Sequence, residues 1–124
     1  MSKGFKILII DDEKELCDLV QLILKDEHYM VECAHTLKEG IKKWIRLQPS
    51  ILILDNFLPD GTGLDFIKQV PEVLFKSKVI IITGEGKLSR EQAQNIGVEF
   101  FIEKPFSLKV IRELVQEIIM VQEN

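Results

Sequence analysis

Cysteine is scarce in this chain, with two residues among 124, Cys17 and Cys33. They do not form a CxxC pair, which would be the sign of a redox motif or of half a zinc site. One falls in a predicted helix and the other in a predicted strand. We therefore expect two reduced thiols with structural roles, as in a cytosolic protein.

Long apolar runs and a basic charge excess are also missing. No apolar run approaches the ~18 residues that a membrane-spanning helix needs, and the opening MSKGFKILII leads into a strand without signal-peptide architecture. With 16 basic against 20 acidic residues the net charge is −4, whereas nucleic-acid-binding domains usually carry a basic face. The sequence therefore predicts a cytoplasmic protein that binds neither membranes nor nucleic acids directly.

The residues that are present have the composition of an ordinary globular domain. Of the chain, 46% is hydrophobic and 29% is charged. A chain of this length can bury roughly two-thirds of its unfolded surface, which is enough for a core without disulfide support. We expect residues 1–124 to form one domain.

The segment 51–64, ILILDNFLPDGTGL, organises the rest of the chain. Four β-forming residues lead directly into Asp55, and a turn rich in glycine follows. An apolar run bounded by turn residues is typical of a strand buried on both faces of a parallel sheet. Ligands bind at the carboxyl edge of such sheets, and an aspartate held there can act as a nucleophile, as in enzymes that form an aspartyl-phosphate.

Strands and helices are predicted to alternate along the whole chain. Apolar, β-branched runs predict strands at residues 5–10, 29–34, 51–55, 78–83 and 100–103. Apolar residues at helical spacing predict helices at about 13–27, 37–47, 64–70, a stretch of about eight residues ending at 96–97, and 108–121. This alternation predicts an α/β fold, a parallel sheet with helices on both faces and right-handed crossovers.

Local signals refine three of the helices. A hydroxyl residue followed three positions later by Glu or Gln predicts a capping box, and the chain has two: Thr36 with Glu39, and Ser89 with Gln92. Pro71 is expected to end or restart the third helix. The fourth helix is short and weakly amphipathic, with only Ala93 and Ile96 as clear inward candidates, and Gly84 and Gly86 loosen the loop before it.

Four polar features are predicted at the carboxyl ends of strands one, three, four and five: the pair Asp11-Asp12, then Asp55, Thr83 and Lys104. Converging carboxylates repel one another and need a cation, and Mg²⁺ (or Mn²⁺) suits such a site. A phosphoryl group on Asp55 would bring charge that the metal, Lys104 and the Thr83 hydroxyl could stabilise. Taken singly, these residues also fit roles as turn caps, helix caps, β-formers or solvated charges. Their convergence favours phosphoryl transfer.

Four motifs, IIDDE, ILILDNFLPDGTGL, IIITGEG and FFIEKPF, together resemble the receiver domain of two-component response regulators over essentially the whole chain. The resemblance implies a doubly wound, flavodoxin-like parallel sheet of five strands in the order 2-1-3-4-5. It implies that Asp55 is the phosphoacceptor, that Asp12 binds the metal directly and that Asp11 binds it through water. The backbone carbonyl of Phe57 would be a further metal ligand.

The same resemblance assigns the switch residues. It implies that Lys104 pairs with the phosphoryl group and that Thr83 supplies the switch hydroxyl. Phe101 matches the aromatic residue that turns inward on activation, and the Lys104–Pro105 bond matches one that is typically cis. Two departures, the polar Asn56 and the bulky Phe57, fall beside the phosphoacceptor and concern the lifetime of the phosphoryl group and the choice of partner.

The function implied is that of a phosphorelay signalling switch. A histidine kinase or histidine phosphotransfer protein would donate the phosphoryl group to Asp55 with Mg²⁺. The face made by the fourth helix, fifth strand and last helix would then change to regulate a downstream protein or a fused output domain. A phosphorylation-dependent homodimer is one assembly this allows. Such a domain is not an enzyme beyond its own phosphotransfer and autodephosphorylation.

Two alternative interpretations remain. One is a receiver-like docking module that works without phosphorylation. The other is a Mg²⁺-dependent phosphohydrolase with an aspartate nucleophile. Those enzymes carry a second aspartate two residues after the nucleophile, where this chain has Phe57, and we expect no cap domain to select a substrate within residues 1–124.

Overall fold

The computed structural model describes residues 4–25, 29–84 and 88–123. The predicted end of the first helix, at about Glu27, and the loop glycine Gly86 lie outside these residues.

The main strands are β1 (Lys6–Ile10), β2 (Met30–Ala34), β3 (Ile51–Asp55), β4 (Lys78–Thr83) and β5 (Phe100–Glu103). They form one parallel sheet in the order β2-β1-β3-β4-β5. The predicted doubly wound sheet of order 2-1-3-4-5 is confirmed. All five residues of β3 are buried, as expected for a central strand covered on both faces.

The helices are α1 (Lys14–Leu24), α2 (Leu37–Leu47), α3 (Gly63–Gln69), α4 (Arg90–Asn95) and α5 (Leu108–Glu123). A single helical turn, Val73–Lys76, follows Pro71, so this proline ends one helix and precedes another. Between β3 and α3, Phe57–Leu58 pairs with Gly61–Thr62 in a small antiparallel hairpin. No helix in the described ranges is long and apolar enough to cross a membrane.

Successive strand residues point to opposite faces and so build two separate cores. On one face, Leu8, Leu52 and Ile81 pack in a cluster that also contains Trp44 of α2 and Phe66 of α3. On the other face, the intervening isoleucines of the same strands pack in a cluster with residues of α1 and α5. The central strands are apolar because both of their faces are covered, whereas the edge strand β2 carries the charged residue Glu32 and is only partly buried.

The fourth helix differs from its prediction. It has six residues rather than about eight, and the Ser89–Gln92 capping box that opens it is present. Ala93 is fully buried as predicted, but Ile96 is 38% exposed. Ile96 is the C-cap residue of α4. The helix ends at Asn95, so it is too short to place a second apolar residue against the core. Leu88 and Val98, which flank the helix, supply the buried apolar contacts instead.

Candidate functional site

The register of the sheet brings the acidic residues together at its carboxyl edge. Ile10 of β1 is paired with Leu54 of β3, so the residues that follow them, Asp11 and Asp55, lie side by side. One carboxylate oxygen from each of Asp11, Asp12 and Asp55 lies within 4.8 Å of the other two. Asp11 and Asp55 are buried, whereas Asp12 is exposed. The sequence prediction that these carboxylates converge therefore agrees with the geometry.

Two hydrogen bonds with backbone groups fix Asp11 at the end of β1. Its N–H donates to the Ala34 carbonyl at 3.0 Å, and its Oδ1 accepts a hydrogen bond from the Glu13 N–H at 2.8 Å. Its Oδ2 is buried and has no hydrogen-bond partner among the described residues. Burial raises the pKa of Asp11 from 3.8 to about 7; the Glu13 N–H opposes this shift and the charge of Asp55 adds to it. A cation held by the three clustered carboxylates would relieve the cost of burying this oxygen.

Asp55 has one donor for each of its carboxylate oxygens. The Phe57 N–H donates to Oδ1 at 3.1 Å, and Nζ of Lys104 lies 3.4 Å from Oδ2. The backbone N–H of Lys104 also donates to the Thr83 carbonyl at 2.8 Å, which ties the end of β5 to the end of β4. The peptide bond between Lys104 and Pro105 is cis.

Thr83 and Phe101 are both buried. Among the described residues, the Thr83 hydroxyl forms no hydrogen bond with the acidic cluster. Thr83 is fully buried, and its Oγ1 lies 3.4 Å from the Gly84 carbonyl oxygen. Phe101 is 9% exposed, with the Arg90 guanidinium of α4 lying 5.1 Å from its ring centroid. The aromatic ring is therefore already inward in this structure. Phe57, in contrast, leaves its side chain half exposed beside Asp55.

The loop after Asp55 is docked onto α2 by a contact that sequence reasoning missed. Both carboxylate oxygens of Asp60 accept backbone N–H groups from the first turn of α2, Leu37 at 2.7 Å and Lys38 at 3.0 Å. These hydrogen bonds lower the pKa of Asp60. A carboxylate at a helix N-terminus satisfies donors that have no partner inside the helix. The only sequence signal was an acidic residue in a turn, which does not identify the helix it will cap.

The predicted capping box of α2 is only half correct. The Thr36 side chain accepts a hydrogen bond from the Glu39 N–H, as expected. The Glu39 carboxylate, however, accepts from the N–H of His35 at 2.7 Å instead of from Thr36. The cause is the position of His35, whose Nδ1 is hydrogen-bonded to the Asp11 carbonyl at 2.9 Å. The end of β2 is thereby fixed against the acidic cluster.

Comparison with known proteins decides the family. Residues 7–116 match the model of the response regulator receiver domain. The chain belongs to this family. Its family typically binds Mg²⁺, and the cluster of Asp11, Asp12 and Asp55 could hold such an ion. The match confirms the predicted family. Receiver domains are signalling domains of two-component response regulators and not conventional enzymes.

Similar proteins agree with this assignment. The transcriptional regulatory protein TrcR of Mycobacterium tuberculosis is 33% identical over 84% of this chain, and the regulatory protein VanR of Enterococcus faecium is 35% identical over 82%. The matches span 41% and 44% of those two relatives. A CheY-like receiver domain from Methanospirillum hungatei superposes with a TM-score of 0.83 at 30% identity, covering 96% of both chains.

Proposed function

We propose that this receiver domain is a phosphoacceptor switch and that Asp55 receives the phosphoryl group. The observation that carries the proposal is the pairing of buried Asp55 with Lys104 at 3.4 Å, inside a cluster of three converging carboxylates. A structural ion pair alone would not need two further acidic residues beside it, because they repel the buried carboxylate. Residues 1–124 act as a single domain in this proposal.

The transfer requires positioning more than side-chain chemistry. An Asp55 oxygen attacks the phosphorus of a phosphohistidine on a kinase or phosphotransfer protein. The P–N bond to imidazole breaks as the P–O bond forms, leaving an aspartyl-phosphate on this chain. The Phe57 N–H and the Lys104 ammonium orient the two oxygens of Asp55 beforehand, and Lys104 then pairs with the phosphoryl oxygens.

The acidic cluster fits a divalent cation with oxygen ligands. Asp11 supplies a buried oxygen without a hydrogen-bond partner, and Mg²⁺ is usually bound by one or two carboxylates and several waters. Asp12, Asp55 and the Phe57 carbonyl would hold the ion directly, with Asp11 assisting through water. Mg²⁺ or Mn²⁺, when bound, neutralises charge on the transferring phosphoryl group.

The first prediction tests the phosphoacceptor. Acetyl phosphate should add one phosphoryl group, about 80 Da, to the wild-type chain only when Mg²⁺ is present, and intact-mass spectrometry measures the increment. Asp55→Asn should abolish it because the attacking oxygen is lost. Asp60→Asn, which changes a carboxylate on the same loop, is the matched control and should still be labelled. Equal labelling of Asp55→Asn would refute the assignment, and an unlabelled wild type would favour the docking-module alternative.

The second prediction tests the metal site without reference to phosphorylation. Titration with Mg²⁺ should give saturable amide shifts around Asp12 and Phe57, because the ion compensates the clustered carboxylates. Asp12→Ala combined with Asp55→Ala should remove the response. A response of unchanged size in that double variant would mean that the ion binds elsewhere.

The partners follow from the same proposal. A histidine kinase or histidine phosphotransfer protein is the donor, and a downstream protein or a fused output domain reads the face made by α4, β5 and α5. This domain itself contacts neither nucleic acid nor membrane, and it acts in the cytoplasm. Dimerisation through the output face after phosphorylation is one form that the readout can take.

A further inference from the structure

Cys17 and Cys33 come from different elements and meet in one cleft. Cys17 lies on α1 and Cys33 on β2, the edge strand of the sheet. Both line a cleft of about 350 Å³ whose wall also includes Lys43. Both are free thiols. Cys17 is 1% exposed and Cys33 is half-buried, so the cleft gives small molecules access to Cys33 first.

The two thiols are chemically unequal. A hydrogen bond with Cys17 lowers the pKa of Cys33 and the charge of Lys43 lowers it further, while burial and the charges of Asp18 and Asp11 oppose both effects. The same hydrogen bond and burial raise the pKa of Cys17. Lys43 is held in place by donating to the Cys33 carbonyl oxygen at 2.5 Å and by an ion pair with Glu39. Cys33 also packs against the apolar cluster that contains Cys17. A partly exposed thiol beside a cation and a second, buried thiol is the arrangement of a reactive cysteine with its resolving partner.

We propose that Cys17 and Cys33 form a reversible disulfide between α1 and β2 when the protein meets hydrogen peroxide. This modification site is separate from the acidic cluster and does not depend on the phosphoacceptor function. The bond would join α1, which begins three residues after Asp11, to the strand whose end holds the Asp11 N–H.

The chemistry balances with peroxide as the two-electron oxidant. The Cys33 thiolate attacks one peroxide oxygen, the O–O bond breaks, and the released hydroxide takes a proton to become water. Cys33 is then a sulfenic acid. The Cys17 sulfur attacks the Cys33 sulfur, the S–S bond forms, the S–O bond breaks, and a second water leaves. The two thiols lose two electrons in total, and an added dithiol reverses the reaction by disulfide exchange.

The test uses the full chain, reduced and then treated with a small excess of hydrogen peroxide. Afterwards the chain is denatured, alkylated with N-ethylmaleimide and measured by intact mass and peptide mapping. The expected result is a loss of about 2 Da with no alkylation, a peptide linking residues 17 and 33, and recovery of two alkylated thiols after dithiothreitol. Two alkylated thiols after peroxide, or a disulfide between two chains, would overturn the proposal.

Two variants separate the roles of the thiols. In Cys17→Ala, Cys33 should stop at the sulfenic acid and be captured by dimedone. In Cys33→Ser, the buried Cys17 should remain unmodified and fully alkylatable after denaturation. Capture of dimedone at Cys17 instead would reverse the assignment of the attacking thiol. The wild-type measurement decides the disulfide itself, even where a variant does not fold.

Discussion

At the scale of single residues, a buried polar chain joins three parts of the fold away from the acidic cluster. Nε1 of Trp44 donates to Oγ of Ser77 at 2.9 Å, and that hydroxyl donates to the Pro49 carbonyl at 2.7 Å. Trp44 belongs to α2, Pro49 precedes β3 and Ser77 precedes β4. One hydroxyl thus satisfies two buried groups that would otherwise be without partners.

The third prediction follows from this chain of hydrogen bonds. Ser77→Ala should lower the free energy of unfolding by about 1–3 kcal/mol, because it leaves a buried donor and a buried acceptor unsatisfied. Urea unfolding followed by fluorescence of Trp44, the only tryptophan, measures the change. Ser50→Ala, at a half-buried serine next to Pro49, should change the stability by less than about 0.5 kcal/mol. Equal effects of the two substitutions would show that the hydroxyl of Ser77 is not the stabilising feature.

At the scale of elements, α2 approaches β1 unusually closely at Gly40. A β-carbon added to Gly40 would lie 2.5 Å from Cδ1 and 3.0 Å from Cγ1 of Ile10. Ile10 is fully buried, so its side chain has little space into which it can move. Because Ile10 directly precedes Asp11, this packing contact also bears on the position of the acidic cluster.

The fourth prediction weighs helix propensity against packing. Alanine is favoured over glycine inside a helix by roughly 1 kcal/mol, but overpacking a core costs about 1–3 kcal/mol. Gly40→Ala should therefore destabilise the protein in thermal or urea unfolding. Ile10→Val removes Cδ1, so the double variant should be more stable than the sum of the two single changes predicts. Strict additivity would mean that the two side chains do not compete for the same space.

The alternation of strands and helices could be predicted from sequence because the central strands are apolar on both faces and the longer helices on one, while the mixed pattern of β2 fits its place at the edge of the sheet. The strand bounds in the structure differ from the predicted ones by at most one residue. The length of α4 could not be predicted in the same way. Its last apolar residue, Ile96, continues the helical spacing but lies exposed at the C-cap, and only tertiary packing decides where so short a helix ends.

In the candidate site, too, some features could be predicted from the sequence and others could not. Asp11, Asp55, Thr83 and Lys104 could be placed because each follows an apolar run, and parallel strands end at a common edge. The contacts that hold the edge together could not be placed. Asp60 caps a helix whose first turn precedes it by more than twenty positions, and His35 redirects Glu39 from the cap that local sequence favours. Such contacts depend on which elements become neighbours.

At the scale of the whole molecule, β4 and β5 connect the acidic cluster to α4. The Lys104 N–H donates to the Thr83 carbonyl, which joins the ends of the two strands. Further along, Arg90 in the first turn of α4 lies over the ring of Phe101 in β5. Because Phe101 is already buried, we expect activation to act on the position of α4 more than on the exposure of this ring.

The fifth prediction concerns this route. A phosphoryl mimic such as beryllofluoride, bound at Asp55 with Mg²⁺, adds negative charge that should attract Lys104 and the Thr83 hydroxyl. Amide shifts or hydrogen exchange should then change across residues 88–101 as well as around Asp55. α4 has only six residues and a single fully buried side chain, Ala93, so little free energy opposes its movement.

Thr83→Ala is the variant that tests the relay. It keeps Asp55 and Lys104, so binding of beryllofluoride should persist, but the changes at residues 88–101 should become smaller because the hydroxyl is lost. A ligand shifts a conformational equilibrium only as far as its affinities for the two states differ. A response in Thr83→Ala as large as in wild type would exclude the hydroxyl as the relay. Changes confined to α1 and α2 in the wild type would instead place the output face on the opposite edge of the sheet, beside β2.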